Sequence, residues 1–224
     1  MLRASLAAAI WLVGASMAMA DDPAANPPPA EAPAEEVRLW TAAEIADLMA
    51  KAAAGNVGSM YSLGLAYADG DGVEQDYRKA MQWYVKAAAL GDRDAMNNIG
   101  ALYSNGHGVA IDYREALKWY RKSAALGNRM AMNNIGFAYD VGQGVAIDDV
   151  EAVRWYRKSA EAGNPDAAFN LGLMYENGEG VTHDRKEAAR WYDLAIRTGE
   201  EATRRKARQG LDRVTTPMVN PAYS

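Results

Sequence analysis

Between residues 55 and 198 the apolar positions of this chain recur with a period of 36 residues. In the second period, Ala95, Ile99, Leu102 and Tyr103 are spaced to line one face of a helix. Ala116, Trp119, Tyr120 and Ala124 line one face of another. Gly106-His107-Gly108-Val109 separates the two stripes, and Gly127 follows the second. Glycine ends a helix by accepting the left-handed conformation, so each period predicts a helix, a tight loop and a second helix. The register repeats in four units, 55–90, 91–126, 127–162 and 163–198. One hairpin of this size cannot bury its own apolar stripe; four in succession predict a stack with a continuous core.

The polar positions sharpen this reading. Asp92 and Asp94 place acids where the dipole of the first helix favours them. Asp112 is set to cap the second helix, with Glu115 at the spacing of a reciprocal capping box. Asp148/Glu151 and Asp184/Glu187 repeat the pair, and Lys79 breaks it in the first unit. Gly64, Gly100, Gly136 and Gly172 fall inside the first helices, where glycine costs about 1 kcal/mol against alanine. The reason expected is close packing of a neighbouring helix, under a Trp or Tyr ring. The pairs Trp83-Tyr84, Trp119-Tyr120, Trp155-Tyr156 and Trp191-Tyr192 supply such rings. The tryptophans are read as the spine between layers, each worth at most roughly 4–6 kcal/mol of burial.

The ends of the chain differ in composition. Arg3, the apolar run Leu6 to Val13 and Ala18-Met19-Ala20 form a secretory signal peptide over residues 1–20, cleaved after Ala20. The expected destination is the periplasm or the exterior. Residues 21–40 open with a stretch that holds five of the eight prolines, the signature of a disordered linker. Thr41 and Glu44 open a capping helix over 41–54, a polar and basic helix caps the other end over 199–214, and 215–224 reads as a flexible tail. With no cysteine, the chain has no disulfide and no lipid-attachment thiol. The four units carry nineteen acids against sixteen bases. That balance excludes the basic stripe a nucleic-acid partner requires. No later segment is long and apolar enough to embed in a membrane.

Candidate chemistry is sparse. Ser-x-x-Lys, Gly-x-Ser-x-Gly and His-Glu-x-x-His are all missing, and His107 and His183 are the only histidines. Neither metal, cofactor nor catalytic residue is expected, so the chain reads as a non-enzymatic binding module. The positive signal is asparagine, a poor helix former, recurring on the first helices as Asn97-Asn98, Asn133-Asn134 and Asn170. A carboxamide donates and accepts at once, which suits an extended peptide backbone. Asn98, Asn134 and Asn170 read equally as bonds that fix the stacking. Asn97 and Asn133 lie further from the apolar stripe and are expected in an open groove. Tyr61, Phe169 and Phe137 are the aromatic side chains off the stripe.

The ordered set of alanine, Leu-Gly, Tyr, G-x-G-V, Asp, alanine and Trp-Tyr resembles the Sel-1-like repeat family, a 36-residue relative of the tetratricopeptide repeat. The resemblance implies an all-α fold, a right-handed α-solenoid of stacked hairpins whose concave face holds a protein or peptide segment. Secreted members look like adaptors or regulators of envelope processes, and a monomer is expected. The alternative is a structural protein bound to cell wall or polysaccharide. Some secreted relatives carry a cysteine pair in each repeat and have been linked to β-lactam hydrolysis; this chain lacks those cysteines, which puts that remote alternative in doubt.

Overall fold

Each helix of the repeats begins on a side chain that caps it. The computed structural model describes residues 40–216, and among these it holds ten α-helices and no strand. They are α1 Ala42–Ala53, α2 Val57–Asp69, α3 Tyr77–Ala89, α4 Arg93–Asn105, α5 Tyr113–Ala125, α6 Arg129–Val141, α7 Asp149–Glu161, α8 Pro165–Asn177, α9 Arg185–Thr198 and α10 Glu201–Thr215. The expected signal peptide, nearly all of the expected linker and most of the expected tail lie outside the described residues. Asn56, Asp92, Asn128 and Asn164 cap the first helices, and Asp76, Asp112, Asp148 and Asp184 cap the second. Neighbouring helices pack in chain order, giving an all-α solenoid of four hairpins flanked by α1 and α10.

The capping boxes expected at Asp112, Asp148 and Asp184 close on one side only. Each aspartate accepts from the backbone of the glutamate three residues on, as expected. The glutamates turn forward instead, to Lys118, Arg154 and Arg190. The cause is across the loop: the backbone N–H of each aspartate already donates to the carbonyl of Tyr103, Tyr139 or Tyr175. Among the described helices, only α1 shows the reciprocal box, between Thr41 and Glu44.

The tyrosine of each Trp-Tyr pair, rather than the tryptophan, is the spine. Tyr84, Tyr120, Tyr156 and Tyr192 are buried, and each ring lies on an interior glycine of the preceding first helix. A Cβ on Gly100 would stand 2.6 Å from two ring carbons of Tyr120, closer than carbons pack. The tryptophans are half-buried. Lys86, Lys122 and Lys158 cover Trp83, Trp119 and Trp155 at 3.9, 4.0 and 4.6 Å from the ring centres, a cation–π arrangement at the protein surface. The loops tie successive units together. Gly108 has φ of +70°, and a Cβ there would meet the backbone of Tyr77 in the preceding unit at 2.9 Å, so glycine is required twice over.

Within each central unit the hairpin is closed by side chains. Buried Ser123 and Ser159 donate to the carbonyls of Arg93 and Arg129, both at 2.6 Å. Those arginines in turn donate to carbonyls just past the end of the paired helix, Arg93 to Leu126 and Arg129 to Gly163. First helices also touch one another directly, α2 with α4 and α8 with α10. That contact puts the first helices on the inner side of the stack.

Candidate binding groove

The first helices bury one face against the second helices, through Ala95, Ile99 and Leu102 in α4 and their equivalents. Successive residues turn by 100°, so Asp94, Asn97, Asn98, Ala101 and Asn105 share one arc of about 100° on α4, beside the arc that holds Ala95, Ile99 and Leu102. Repeated over α2, α4, α6 and α8, that face forms the floor of a groove along the inner side.

An amide ladder crosses the floor. Asn134 Nδ2 donates to Asn97 Oδ1 at 3.1 Å, and Asn170 Nδ2 donates to Asn133 Oδ1 at 3.2 Å. Asn97 Nδ2 also donates to Asn98 Oδ1 at 3.4 Å. At the first junction, Asn98 lies close enough to the phenols of Tyr61 and Tyr84 to offset part of the rise that burial gives their pKa. The register is constant: the side chain at one position of a first helix meets the side chain 37 residues later in the chain. Asn134 and Asn170 therefore do bond between helices, whereas Asn98 bonds Asn97 within its own helix. Asn97 differs from the expectation of an open position, being 7% exposed, because Asn134 of the next helix lies over it. Asn133 is half-buried.

Both flanking aromatics lean on spine tyrosines. Tyr61 meets Tyr84 with ring centres 5.9 Å apart and tilted by 42°, and Phe169 meets Tyr192 at 5.8 Å and 41°. Both are half-buried and edge the groove. Burial pushes the Tyr120 phenol up to about 12 and raises those of Tyr84, Tyr156 and Tyr192 as well. At neutral pH these groups are uncharged hydrogen-bonding groups.

A crevice of about 240 Å³ opens between α4 and α6. Tyr120, Leu117, Ala116 and Ala138 form its base, and Ser104, Asn105, Asn134 and Gln143 its polar rim. Phe137 stands at its mouth, 44% exposed. The sequence reading found Phe137 but passed over its helical neighbours Met130 and Val141. Aligning the four units position by position would have exposed them. Met130 stands where the other units have Gly58, Asp94 and Asp166; Val141 stands where they have Asp69, Asn105 and Asn177.

The histidines are engaged locally. His107 stacks on Tyr77 at 4.4 Å, and His183 Nδ1 lies 2.7 Å from the carbonyl oxygen of Glu176. Among the described residues no group of three or more His, Cys, Asp or Glu side chains gathers in a way that could hold a metal ion. No helix among them is long and apolar enough to cross a membrane.

Comparison with known proteins adds the lineage of this architecture. The model of the Sel1 repeat matches residues 57–92, 93–128, 129–164 and 165–199. Among solved structures, a protective antigen of uropathogenic Escherichia coli displaying an SLR fold is similar at 39% identity and a TM-score of 0.67. The match covers 71% of this chain and 34% of the antigen, so the chain spans about a third of that protein's length. A Sel1 repeat protein from Oxalobacter formigenes is similar at 29% identity and a TM-score of 0.68, covering 77% of this chain and 78% of that one. An immunity protein of Pseudomonas aeruginosa shares the fold at 19% identity and a TM-score of 0.50, covering 77% of this chain and 74% of its own. No protein of curated function matches the chain.

Proposed function

Because the chain belongs to the Sel1 repeat family, whose repeats are in general protein-interaction modules, we propose that it is a non-enzymatic adaptor or regulator of an envelope process. In this reading it is secreted to the periplasm or beyond and holds an extended protein segment along the inner groove. The observation that carries the reading is the amide ladder. Asn133 Nδ2, Asn134 Oδ1 and Asn170 Oδ1 take no hydrogen-bond partner among the described residues, although each side chain is held in place through its other atom. Donors and acceptors that are fixed and half-buried match the alternating N–H and C=O groups of an extended backbone. Such preorganisation reduces the ordering cost of binding.

A photo-crosslinking amino acid placed at Ala101, in the groove, should capture a specific protein in cells. The same amino acid at exposed Gln82 on α3 should not. Capture from Gln82 alone, or recovery of wall glycan from Ala101, would overturn the groove reading in favour of another surface or of the cell-wall alternative. Secretion has its own check, an intact mass for the envelope species that begins at Asp21.

A further inference from the structure

Charge divides the outer row of second helices into two ends. α3 carries Arg78, Lys79 and Lys86 with no acid, and α5 carries Arg114, Lys118, Arg121 and Lys122 with Glu115 alone. Adding every acid of the glycine loops that lead into them, Asp71, Glu74, Asp76 and Asp112, gives five acids against seven bases. The same count over α7 and α9 gives eight acids against seven bases. All seven bases of α3 and α5 are exposed. Lys79 and Lys118 lie beside Asp76 and Glu115, and Arg121 donates to the Tyr139 hydroxyl. Arg78, Lys86, Arg114 and Lys122 make no ion pair among the described residues. Lys86 and Lys122 stand ten residues past the capping aspartates, about 15 Å along their helices, over the half-buried rings of Trp83 and Trp119. This end of the outer face is basic and aromatic together.

The complementary charge lies in the same chain. Residues 21–36 hold five acids, Asp21, Asp22, Glu31, Glu35 and Glu36, and no base, together with five of the eight prolines. They join the stack beside α3. The Trp40 N–H donates to Asp71 Oδ1 at 2.6 Å, and a Cβ on Gly72 would collide with the Trp40 carbonyl. The entering chain therefore lies on the loop that leads into Arg78 and Lys79. Proline-rich chain spans about 3.1 Å per residue when extended, so residues 21–36 reach about 50 Å, more than twice the ~20 Å length of α3. Proline-rich segments seat their rings on aromatic side chains. Tethering holds the two surfaces at a roughly millimolar effective concentration, so weak contacts suffice.

We propose that residues 21–36 fold back within the same molecule and cover the outer face of α3 and α5. Their carboxylates meet Arg78, Lys86, Arg114 and Lys122, and their prolines lie against the open parts of Trp83 and Trp119. The contact is separate from the groove, which lies on the inner side, and holds whether or not a segment binds there. Charge complementarity sets where the stretch lies: α7 and α9, where acids outnumber bases, stay open. An acidic partner of the outer face would have to displace the covering stretch, so the same cations that attract it set a threshold for its binding.

The test uses residues 21–224, which include the whole stack. The chain has no cysteine, so Ala30→Cys gives a single attachment point for a nitroxide. In nuclear magnetic resonance spectra at about 0.01 M salt, where the Debye length is about 30 Å, the label should broaden amides of α3 and α5 more than those of α4 and α6, and leave α9 sharp. At about 1 M salt, where that length is about 3 Å, the broadening should be lost. The changes Asp21→Asn, Asp22→Asn, Glu31→Gln, Glu35→Gln and Glu36→Gln together should abolish it at low salt with an unchanged thermal melt. Lys86→Gln/Lys122→Gln should weaken it likewise; if that pair lowers the melt, the carboxylate variant carries the comparison. Broadening that survives high salt or the loss of the acids, that stays at α1 and the loop after α2, or that falls chiefly on α4 and α6 overturns the inference. So does broadening passed between molecules, read by mixing nitroxide-bearing protein with isotope-enriched protein that carries no label.

Discussion

Two adjacent aromatic residues in each unit do different work. Tyr120 is 6% exposed and fills the contact with Gly100, while Trp119 is half-buried beneath Lys122. Replacing Tyr120 with alanine should therefore cost about 3–5 kcal/mol, the range for a large core aromatic. Trp119→Ala should cost clearly less, since part of its ring is already in water. Gly100→Ala is the complementary test. Alanine is the better helix former by about 1 kcal/mol, but its methyl would collide with the Tyr120 ring at 2.6 Å. A net loss of about 1–3 kcal/mol is expected from overpacking. Urea unfolding of the three variants measures these terms. A stabilised Gly100→Ala, or a Trp119→Ala as costly as Tyr120→Ala, would mean that the rings do not divide the core in this way.

At the scale of the element, α10 shows how the stack is closed. It has no side-chain N-cap and a polar composition, so its own sequence holds it weakly. Docking supplies the rest. Gly210 packs on the far side of the Tyr192 ring, and Arg185 donates to the carbonyls of Arg213, Val214 and Thr216 at the helix end. Arg213 meets Glu176 through two bonds of 2.7 and 2.9 Å. Hydrogen bonding to Arg213 holds the Glu176 carboxyl below the usual carboxylate range. A depressed folded value means the pair stabilises docking above the unfolded pKa of about 4.3 and is lost as pH falls through the folded value. Amide exchange in α10 should therefore accelerate below about pH 4, before α4 to α7 respond. In Glu176→Gln that acid step should vanish; α10 exchange that tracks the whole protein at every pH would rule out a separate docking step.

Across the whole molecule, structure is passed from unit to unit at separations of 31 to 37 residues. Asn128 reaches Asp94, Asn134 reaches Asn97, and the base of each glycine loop lies on the preceding unit. Stability in such an array is a sum of unit and interface terms. Gly136→Ala, which would press a methyl to 2.7 Å from Tyr156, has a neighbouring unit on both sides, so its damage should spread further in hydrogen exchange than that of Gly64→Ala near the end. Confinement of both effects to the altered hairpin would show that the units fold independently.

Sequence by itself determined the period, the hairpins, the glycine stops and the aspartate caps, and hence the stack. These features depend on residues within about one or two helical turns of each other, where spacing alone sets geometry. It also determined that an aromatic ring must meet Gly64, Gly100, Gly136 and Gly172, but not whether tryptophan or tyrosine did so. Tertiary structure decided that, because both residues lie near the apolar stripe and only the neighbouring helix sets which ring is covered. It decided likewise that Glu115 turns to Lys118, once the Asp112 N–H is taken by Tyr103 across the loop. Asn97 makes the same point: its angle on α4 faces the groove, and only the approach of Asn134 from α6 buries it. A helix's own periodicity gives the direction of a side chain, whereas burial depends on what another helix, a full repeat away, places against it.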